Sequence, residues 1–364
     1  NDHQALREDP VLQIAAGRPP GDDAKLASPP TLCRLENRVE RPTLIRIAEA
    51  LVDQFIASHR TPPEHLILDF DATDDPVHGQ QEGRFFHGYY DHHCFLPLYV
   101  FCGDELLTAY LRPSNIDASK HARAVLKLLV RKLHAAWPAV RITLRADSGF
   151  CRWRLMRWCD SQGIGYVLGW AKNAVLERQA RDWIERTARQ FRRTGQPQRL
   201  FGSFSYAASS WDRRRRVIVK AEHTAQGANP RFVVVNVPGD PQELYDEVYC
   251  QRGEMENRIK EQQLGLFADR TSCHAFLANQ LRLLLSSAAY VLMNVLRREA
   301  LSGTELARAQ VGTSRLKSLK VAARVVVSVR RVVFHLTSSY PYQELSRAVL
   351  ARVMGLPQMA MGSG

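Results

Sequence analysis

Apolar residues recur in short runs from His65 onward, and turn-forming or charged residues separate the runs. Runs rich in β-branched and aromatic residues predict strands, whereas apolar positions spaced three and four residues apart predict helices. The predicted strands are 66–71, 95–101, 106–111, 140–146 and 165–170, and the predicted helices between them are 119–137 and 153–162. The order is therefore three strands, a helix, a strand, a helix and a strand.

This order is typical of a ribonuclease H-like fold, in which three antiparallel strands lead into alternating helices and strands. The predicted fold class is α/β: a ribonuclease H-like mixed sheet flanked by helices, with a β-rich insertion and helical N- and C-terminal segments. The insertion combines an Arg-rich helical stretch (178–193) with β-type runs at 200–206, 216–221 and 232–237. Helices resume near Pro241 and continue through Arg298, and the pattern of 322–336 fits either a strand or a helix.

Changes in this pattern divide the chain into five predicted segments. The first is a polar, proline-rich arm that leads into a helix over 43–58, and we expect it to brace the core. Its start at Asn1, without a methionine, suggests that residues are missing upstream. The segments are the arm and helix (1–62), the first part of the core (63–171), the basic insertion (172–240), the second part of the core (241–300) and a basic C-terminal segment (301–364).

The charge balance makes nucleic acid the first partner to test. Fifty Lys and Arg against 37 Asp and Glu give a net charge of +13. Ribosome-associated proteins and proteins that bind anionic membranes share such a balance, so charge alone does not decide. The apolar run from Ala275 to Leu296 includes Asn279, Arg282 and Asn294, which favours a buried amphipathic helix over a membrane span.

The seven cysteines are scattered and form no CxxC pair, which is typical of a reducing cytoplasm rather than of a disulfide framework. A local group of histidines and cysteines has spacings that match no usual zinc pairing. Its members are His87, His92, His93, Cys94 and Cys102. We therefore expect no zinc site there.

Two acids follow predicted strands that would be neighbours in this fold. Asp71 ends the first strand and Asp147 ends the fourth. Each acid alone is more simply explained as a helix cap or turn residue, but their joint placement at one sheet edge favours a shared divalent-metal site. Asp69 would lie on the same strand face as Asp71, so it is an alternative ligand.

A third acid lies in a predicted helix with two cations. Tyr249, Arg252, Glu256 and Lys260 share one face at helical spacing, whereas Glu254 is rotated by about 200° from Arg252. The alternative is an ordinary ladder of salt bridges on a solvated helix.

Three stretches together resemble the DDE-type insertion-sequence transposases, over about residues 1–350. The first is LDFDATDDPVHG around Asp71, and the second is RADSGF around Asp147. The third resembles the family's Tyr-Arg-Glu-Lys signature at Tyr249, Arg252 and Glu256. The family's Lys falls seven residues after the Glu, where this chain has Gln263, so Lys260 or Arg258 is the candidate replacement.

The resemblance implies a transposase that cleaves DNA strands and transfers them at insertion-sequence ends. It implies that Asp71, Asp147 and Glu256 are catalytic and hold two Mg²⁺ ions, with Mn²⁺ as a substitute. Tyr249, Arg252 and Lys260 would then bind DNA phosphates. We expect four insertion arginines, Arg213, Arg214, Arg215 and Arg216, to bind DNA as well.

The partners that the resemblance implies are double-stranded DNA, as terminal inverted repeats and target, and a second copy of the chain in a synaptic homodimer. No membrane partner is expected, and the expected location is the bacterial cytoplasm, at the nucleoid when bound to DNA. Two alternatives stay open at this point. One is a structure-selective nuclease of ribonuclease H-like fold, and the other is a non-catalytic, DNA-binding remnant of a transposase.

Overall fold

The structure of the protein is a computed structural model that describes residues 2–20 and 25–355. Its α-helices are α1 (Asp2–Leu6), α2 (Pro10–Ala15), α3 (Pro29–Asn37), α4 (Arg41–Ala57), α5 (Ala122–Ala136), α6 (Trp153–Ser161), α7 (Ala174–Gln179), α8 (Arg181–Thr194), α9 (Pro241–Glu243), α10 (Gly253–Lys260), α11 (Phe276–Glu299), α12 (Val311–Ser314) and α13 (Gln343–Gly355). Its strands are β1 (His65–Ala72), β2 (Asp75–Pro76), β3 (Phe85–His87), β4 (His92–Phe95), β5 (Leu98–Cys102), β6 (Glu105–Tyr110), β7 (Arg141–Ala146), β8 (Gly165–Trp170), β9 (Gln198–Tyr206), β10 (Arg215–Thr224), β11 (Gly227–Ala228), β12 (Arg231–Val235), β13 (Ala323–Ser328) and β14 (Arg331–Leu336).

The central sheet has the predicted strand arrangement. Its first five strands lie in the spatial order β6-β5-β1-β7-β8. Strands β1, β7 and β8 are parallel, and β5 and β6 are antiparallel to their neighbours. Helices α5 and α6 supply the crossovers that parallel strands require. The α/β fold with a mixed sheet flanked by helices is therefore confirmed.

The β-rich insertion does not form a separate sheet. Strand β12 pairs antiparallel with β8, and β10 and β9 follow it, so the insertion extends the core sheet. The sequence pattern correctly predicts these strands, but it does not predict where they pair. The predicted helix at 178–193 is also interrupted at Ala180, between α7 and α8.

Both faces of the extended sheet are buried, as expected for parallel strands covered by helices. Leu168 and Val219 belong to the larger core, which includes residues of α5 and α6. Val167 and Ile218 point to the opposite face, where they pack with Leu244. This second face anchors the segment that precedes Tyr249.

By packing, the chain divides into two compact units. Residues 45–260 form one unit, and the described residues of 1–44 and 261–355 form the other. These boundaries differ from the five segments predicted from the sequence, because the N-terminal arm and residues 261–300 fall together outside the unit that contains the central sheet.

The second unit is built around α11. A bidentate ion pair of Arg282 with Glu36, at 2.9 and 3.0 Å, joins α11 to α3. In length and composition α11 could cross a membrane, yet 61% of its apolar window is buried within the protein. Its polar side chains are bonded inside the unit, since Asn279 hydrogen-bonds the backbone of Cys273 in both directions. Helix α11 therefore packs within its unit, as the prediction of a buried amphipathic helix requires. The ambiguous stretch near residue 330 is the hairpin of β13 and β14.

Candidate active site

Asp71 and Asp147 leave the sheet at the same edge. In the parallel pair of β1 and β7, Phe70 lies opposite Ala146, so the next residue of each strand is an acid. The Asp71 side chain is 13% exposed, and its carboxylate accepts a hydrogen bond from the Ala72 amide at 2.9 Å. Asp147 accepts one from the Gly149 amide at 2.9 Å and caps a short 3-10 turn. Asp147 is thus a cap of this turn and also lies next to Asp71 at the edge of the sheet.

Arg252 connects the third acid to the first. Its Nη1 lies 3.7 Å from Oδ2 of Asp71, and its Nη2 lies 3.2 Å from Oε1 of Glu256. Glu254 instead accepts a hydrogen bond from Arg258 at 2.9 Å. The predicted separation of the two glutamates is therefore confirmed, and Glu256 is the one on the side of Asp71.

The chain reaches this arrangement through an irregular helix rather than a uniform one. A π-helical turn over Leu244–Tyr249 and a 3-10 turn over Cys250–Arg252 precede α10. Changes of helical pitch of this kind frequently mark functional sites. They still place Arg252 close enough to Tyr249 to oppose the rise that burial causes in the pKa of the tyrosine.

The carboxylates influence one another electrostatically. Burial raises the pKa of Asp71 to about 7, Arg252 lowers it in part, and the negative charges of Asp147 and Glu256 raise it further. Burial also raises the pKa of Tyr249, with Arg252 opposing and Asp147 adding to the shift. All three predicted acids therefore lie within one electrostatic neighbourhood.

Gly169 makes room for Tyr249, although no pattern in the sequence singles it out. A Cβ atom at this position would collide with the Tyr249 hydroxyl group and lie 3.0 Å from the Ser148 amide nitrogen. The central strand β8 therefore needs glycine where the tyrosine approaches the turn after Asp147.

Asp69 and Arg145 form a buried brace behind the acids. Arg145 donates to both carboxylate oxygens of Asp69, from Nε to Oδ1 and, at 2.7 Å, from Nη2 to Oδ2. Its Nη1 donates to the carbonyl oxygen of Val248 at 2.5 Å. Asp69 is fully buried and committed to this pair, so it does not replace Asp71 as a ligand candidate. The brace ties together β1, β7 and the segment that carries Tyr249.

Three carboxylates with hard oxygen donors suit a divalent cation such as Mg²⁺. Among the described residues, no three His, Cys, Asp or Glu side chains already stand as a ready metal cluster. The guanidinium of Arg252 provides the positive charge between Asp71 and Glu256. Because neighbouring negative charges raise the pKa of Asp71, a cation there would relieve a repulsion that the protein contains. The donor set fits the ion.

The four insertion arginines have different environments. Arg213 and Arg214 are exposed, and Arg216 is half-buried and donates to the Gly239 carbonyl at 2.9 Å. Arg215 is buried and pairs with Asp160 and Asp212 at 3.0 and 2.9 Å. This corrects the prediction that Arg215 contacts DNA, because its guanidinium is already engaged inside the protein.

Lys260 is exposed at the end of α10. Gln263, at the position of the family's lysine, follows in a π-helical turn over Glu261–Gly265. Lys260 therefore stays a prediction as the substitute cation.

Comparison with known proteins gives one family and a structural likeness. A family model described as "Transposase DDE domain group 1" matches residues 1–358. Among solved structures, a piggyBac transposase synaptic complex with hairpin DNA aligns at a TM-score of 0.40 and 10% identity, over 88% of this chain and 62% of that one. The chain thus spans less than two thirds of the length of that protein. No curated protein matches.

Proposed function

This chain belongs to the DDE transposase domain family, and from that premise we propose that it cleaves and joins DNA strands at insertion-sequence ends with Asp71, Asp147 and Glu256. The observation that carries the proposal is the convergence of the three acids: Asp71 and Asp147 directly follow paired residues of β1 and β7, and Arg252 lies between Asp71 and Glu256. Like charges held close together beside a buried carboxylate are costly, and a protein retains them where they hold a cation or move protons.

The proposed cofactor is a pair of Mg²⁺ ions, with Mn²⁺ as a substitute, held by the same three acids. Bound there, the ions supply positive charge to the phosphate and its attacking and leaving oxygens. Asp71 has to be ionised to serve as a ligand, so its raised pKa makes ion binding favourable above about pH 7 and weaker below it.

Arg252 is suited to hold the DNA phosphate next to the acids. A guanidinium offers paired donors to non-bridging phosphate oxygens, and here it already lies between two carboxylates. Tyr249 lies beside it, where its hydroxyl oxygen can accept a hydrogen bond from the guanidinium and fix its direction. Neither residue takes part in bond making; both position the substrate.

The proposed partner is double-stranded DNA, as terminal repeats and as target, in a synaptic assembly of two copies of the chain. The net charge of +13 supports a polyanionic partner. We also propose a cytoplasmic location at the nucleoid, in keeping with seven cysteines that are all free thiols.

The experiment that tests the proposal compares Glu256→Gln with Glu254→Gln on a transposon-end duplex. Both changes remove one charge with little change in volume, and the two positions are two residues apart on α10. Glu256→Gln is expected to lose Mg²⁺-dependent cleavage and strand transfer by at least about 10³-fold, whereas Glu254→Gln stays within about threefold of the wild type.

Asp71→Ala and Asp147→Ala should likewise abolish cleavage while leaving DNA binding nearly intact, since arginines rather than acids bind phosphate. A dead Glu254→Gln with an active Glu256→Gln would refute the assignment. Cleavage without strand transfer by the wild type would instead favour a structure-selective nuclease.

A further inference from the structure

A cavity of about 490 Å³ lies where the loop before α5 meets the start of α6. It belongs to the unit of residues 45–260 and none of the proposed catalytic acids lines it. The basic and aromatic side chains of its lining are Lys120, His121, Arg123, Arg152, Trp153 and Arg154.

The cavity is strongly positive. Four of its lining residues are Lys or Arg, and its single acid, Asp117, accepts a hydrogen bond from Arg152 at 2.6 Å. Three cations are left without an acidic partner on the lining. His121 responds to this field, because burial and the charges of Arg112 and Lys120 lower its pKa. A site with this potential attracts anions.

A second, independent observation lies beneath the cavity. Arg112 is fully buried, and its Nη2 has no hydrogen-bond partner in the described part of the chain. Its Nη1 donates to the carbonyl oxygens of Ala118 and Lys120, at 2.8 and 2.5 Å, so it lies directly under the loop that forms the cavity rim. A buried cation that is paired only with carbonyl groups is costly, and a nearby anion would offset that cost. Burial accordingly lowers the pKa of Arg112 to about 10.

The N-termini of α5 and α6 add hydrogen-bond donors and positive dipole ends to the cavity. Neither α5 nor α6 has a side-chain hydrogen bond at its N-cap, and both helices begin at the cavity. Their first backbone N–H groups and the positive ends of their dipoles therefore face the same region as the lysine and arginines.

The cavity also lies beside the candidate active site. A Cβ atom placed on Gly149 would be 3.0 Å from Oδ1 of Asp147 and 3.4 Å from the Cβ of Ala118. The turn that holds Asp147 thus packs against the loop on which Asp117 and Lys120 stand.

We propose that the cavity binds backbone phosphate of the DNA strand that enters the active site, next to the phosphodiester that is cut. The inference rests on the proposed function and adds a phosphate subsite to it. A nucleic-acid backbone fits better than a small enclosed anion, since Lys120, Arg123 and Arg154 are exposed and can follow successive phosphates.

The test compares a triple variant around the starts of α5 and α6 with one farther along the same two helices. The cavity variant is Lys120→Gln/Arg123→Gln/Arg154→Gln. The control is Lys127→Gln/Arg131→Gln/Arg157→Gln, which removes the same charge from exposed positions about one turn or more farther along α5 and α6. Fluorescence anisotropy measures binding of each full-length protein to a 30-base-pair duplex in EDTA at several salt concentrations.

We expect the plot of log affinity against log salt to be less steep for the cavity variant than for the wild type, by about 2 units of slope. The cavity variant should also bind at least about tenfold more weakly at 0.1 M salt. The control should change the slope by less than about 1 unit. Equal slopes for the two variants would overturn the cavity assignment and leave the proposed function standing. If the wild type itself failed to bind the duplex, both would fall. Thermal melting of all three proteins confirms that each is folded.

Discussion

The buried brace between Asp69 and Arg145 offers a direct test of how the site is held together. Arg145→Met replaces the arginine by an apolar side chain of similar length. It removes three hydrogen bonds, two to Asp69 and one to the Val248 carbonyl. The Asp69 carboxylate would then stay at 0% exposure without a counterion. Breaking one partner of a buried ion pair costs about 3–5 kcal/mol, a large part of the 5–15 kcal/mol that stabilises a typical protein.

Urea unfolding followed by tryptophan fluorescence measures this loss in the relevant unit, because all six tryptophans lie within residues 45–260. The double variant Asp69→Leu/Arg145→Met replaces the pair by apolar side chains and is expected to recover most of the loss. Arg141→Met, at an exposed position of the same strand, serves as the control and should stay within about 0.5 kcal/mol of the wild type.

A loss below about 1 kcal/mol for Arg145→Met would refute the reasoning, as would a double variant no more stable than the single one. Either result would mean that water or a backbone shift satisfies Asp69 once the guanidinium is gone.

Two other predictions follow from the charges of the site and of the insertion. The raised pKa of Asp71 means that the folded protein retains a proton which the unfolded chain releases near pH 4, so metal-free stability falls as pH rises from about 4 to about 7. In unfolding experiments with EDTA, Asp71→Asn should therefore be more stable than the wild type by up to about 4 kcal/mol at pH 8 and equal to it at pH 4. Equal stability of the two proteins at pH 8 would contradict the raised pKa of Asp71. Replacing Arg213, Arg214 and Arg216 by Gln should reduce the steepness of the salt dependence of DNA binding by about one unit per lost phosphate contact, whereas Arg215→Gln should mainly lower the unfolding free energy. An unchanged steepness in the triple variant would mean that these three arginines do not contact DNA phosphate.

The strands of the core and the two acids at their ends could be predicted because they depend on local pattern. Apolar runs identify β1 and β7, and an acid after each run has to emerge where those strands end. The separation of Glu254 from Glu256 was equally predictable, since it follows from the angle between residues on a helix. In these cases the physical cause lies within a few consecutive residues.

Other features depended on groups far apart in the chain. The exposed-looking run from Arg213 to Arg216 hides one buried guanidinium, because Arg215 meets Asp160 only after β10 has joined the sheet. Asp69 stayed an alternative to Asp71 in the sequence, and only its pairing with Arg145 from the neighbouring strand excludes it.

The sequence by itself thus determined which residue types carry the chemistry and which faces of strands and helices present them. Only the tertiary structure decided which charges are neutralised, where the insertion strands pair, and that the loop before α5 and the start of α6 enclose a positive cavity. Burial and pairing are set by contacts between residues tens of positions apart. Free energies of charged groups depend on those contacts, and local periodicity carries no information about them.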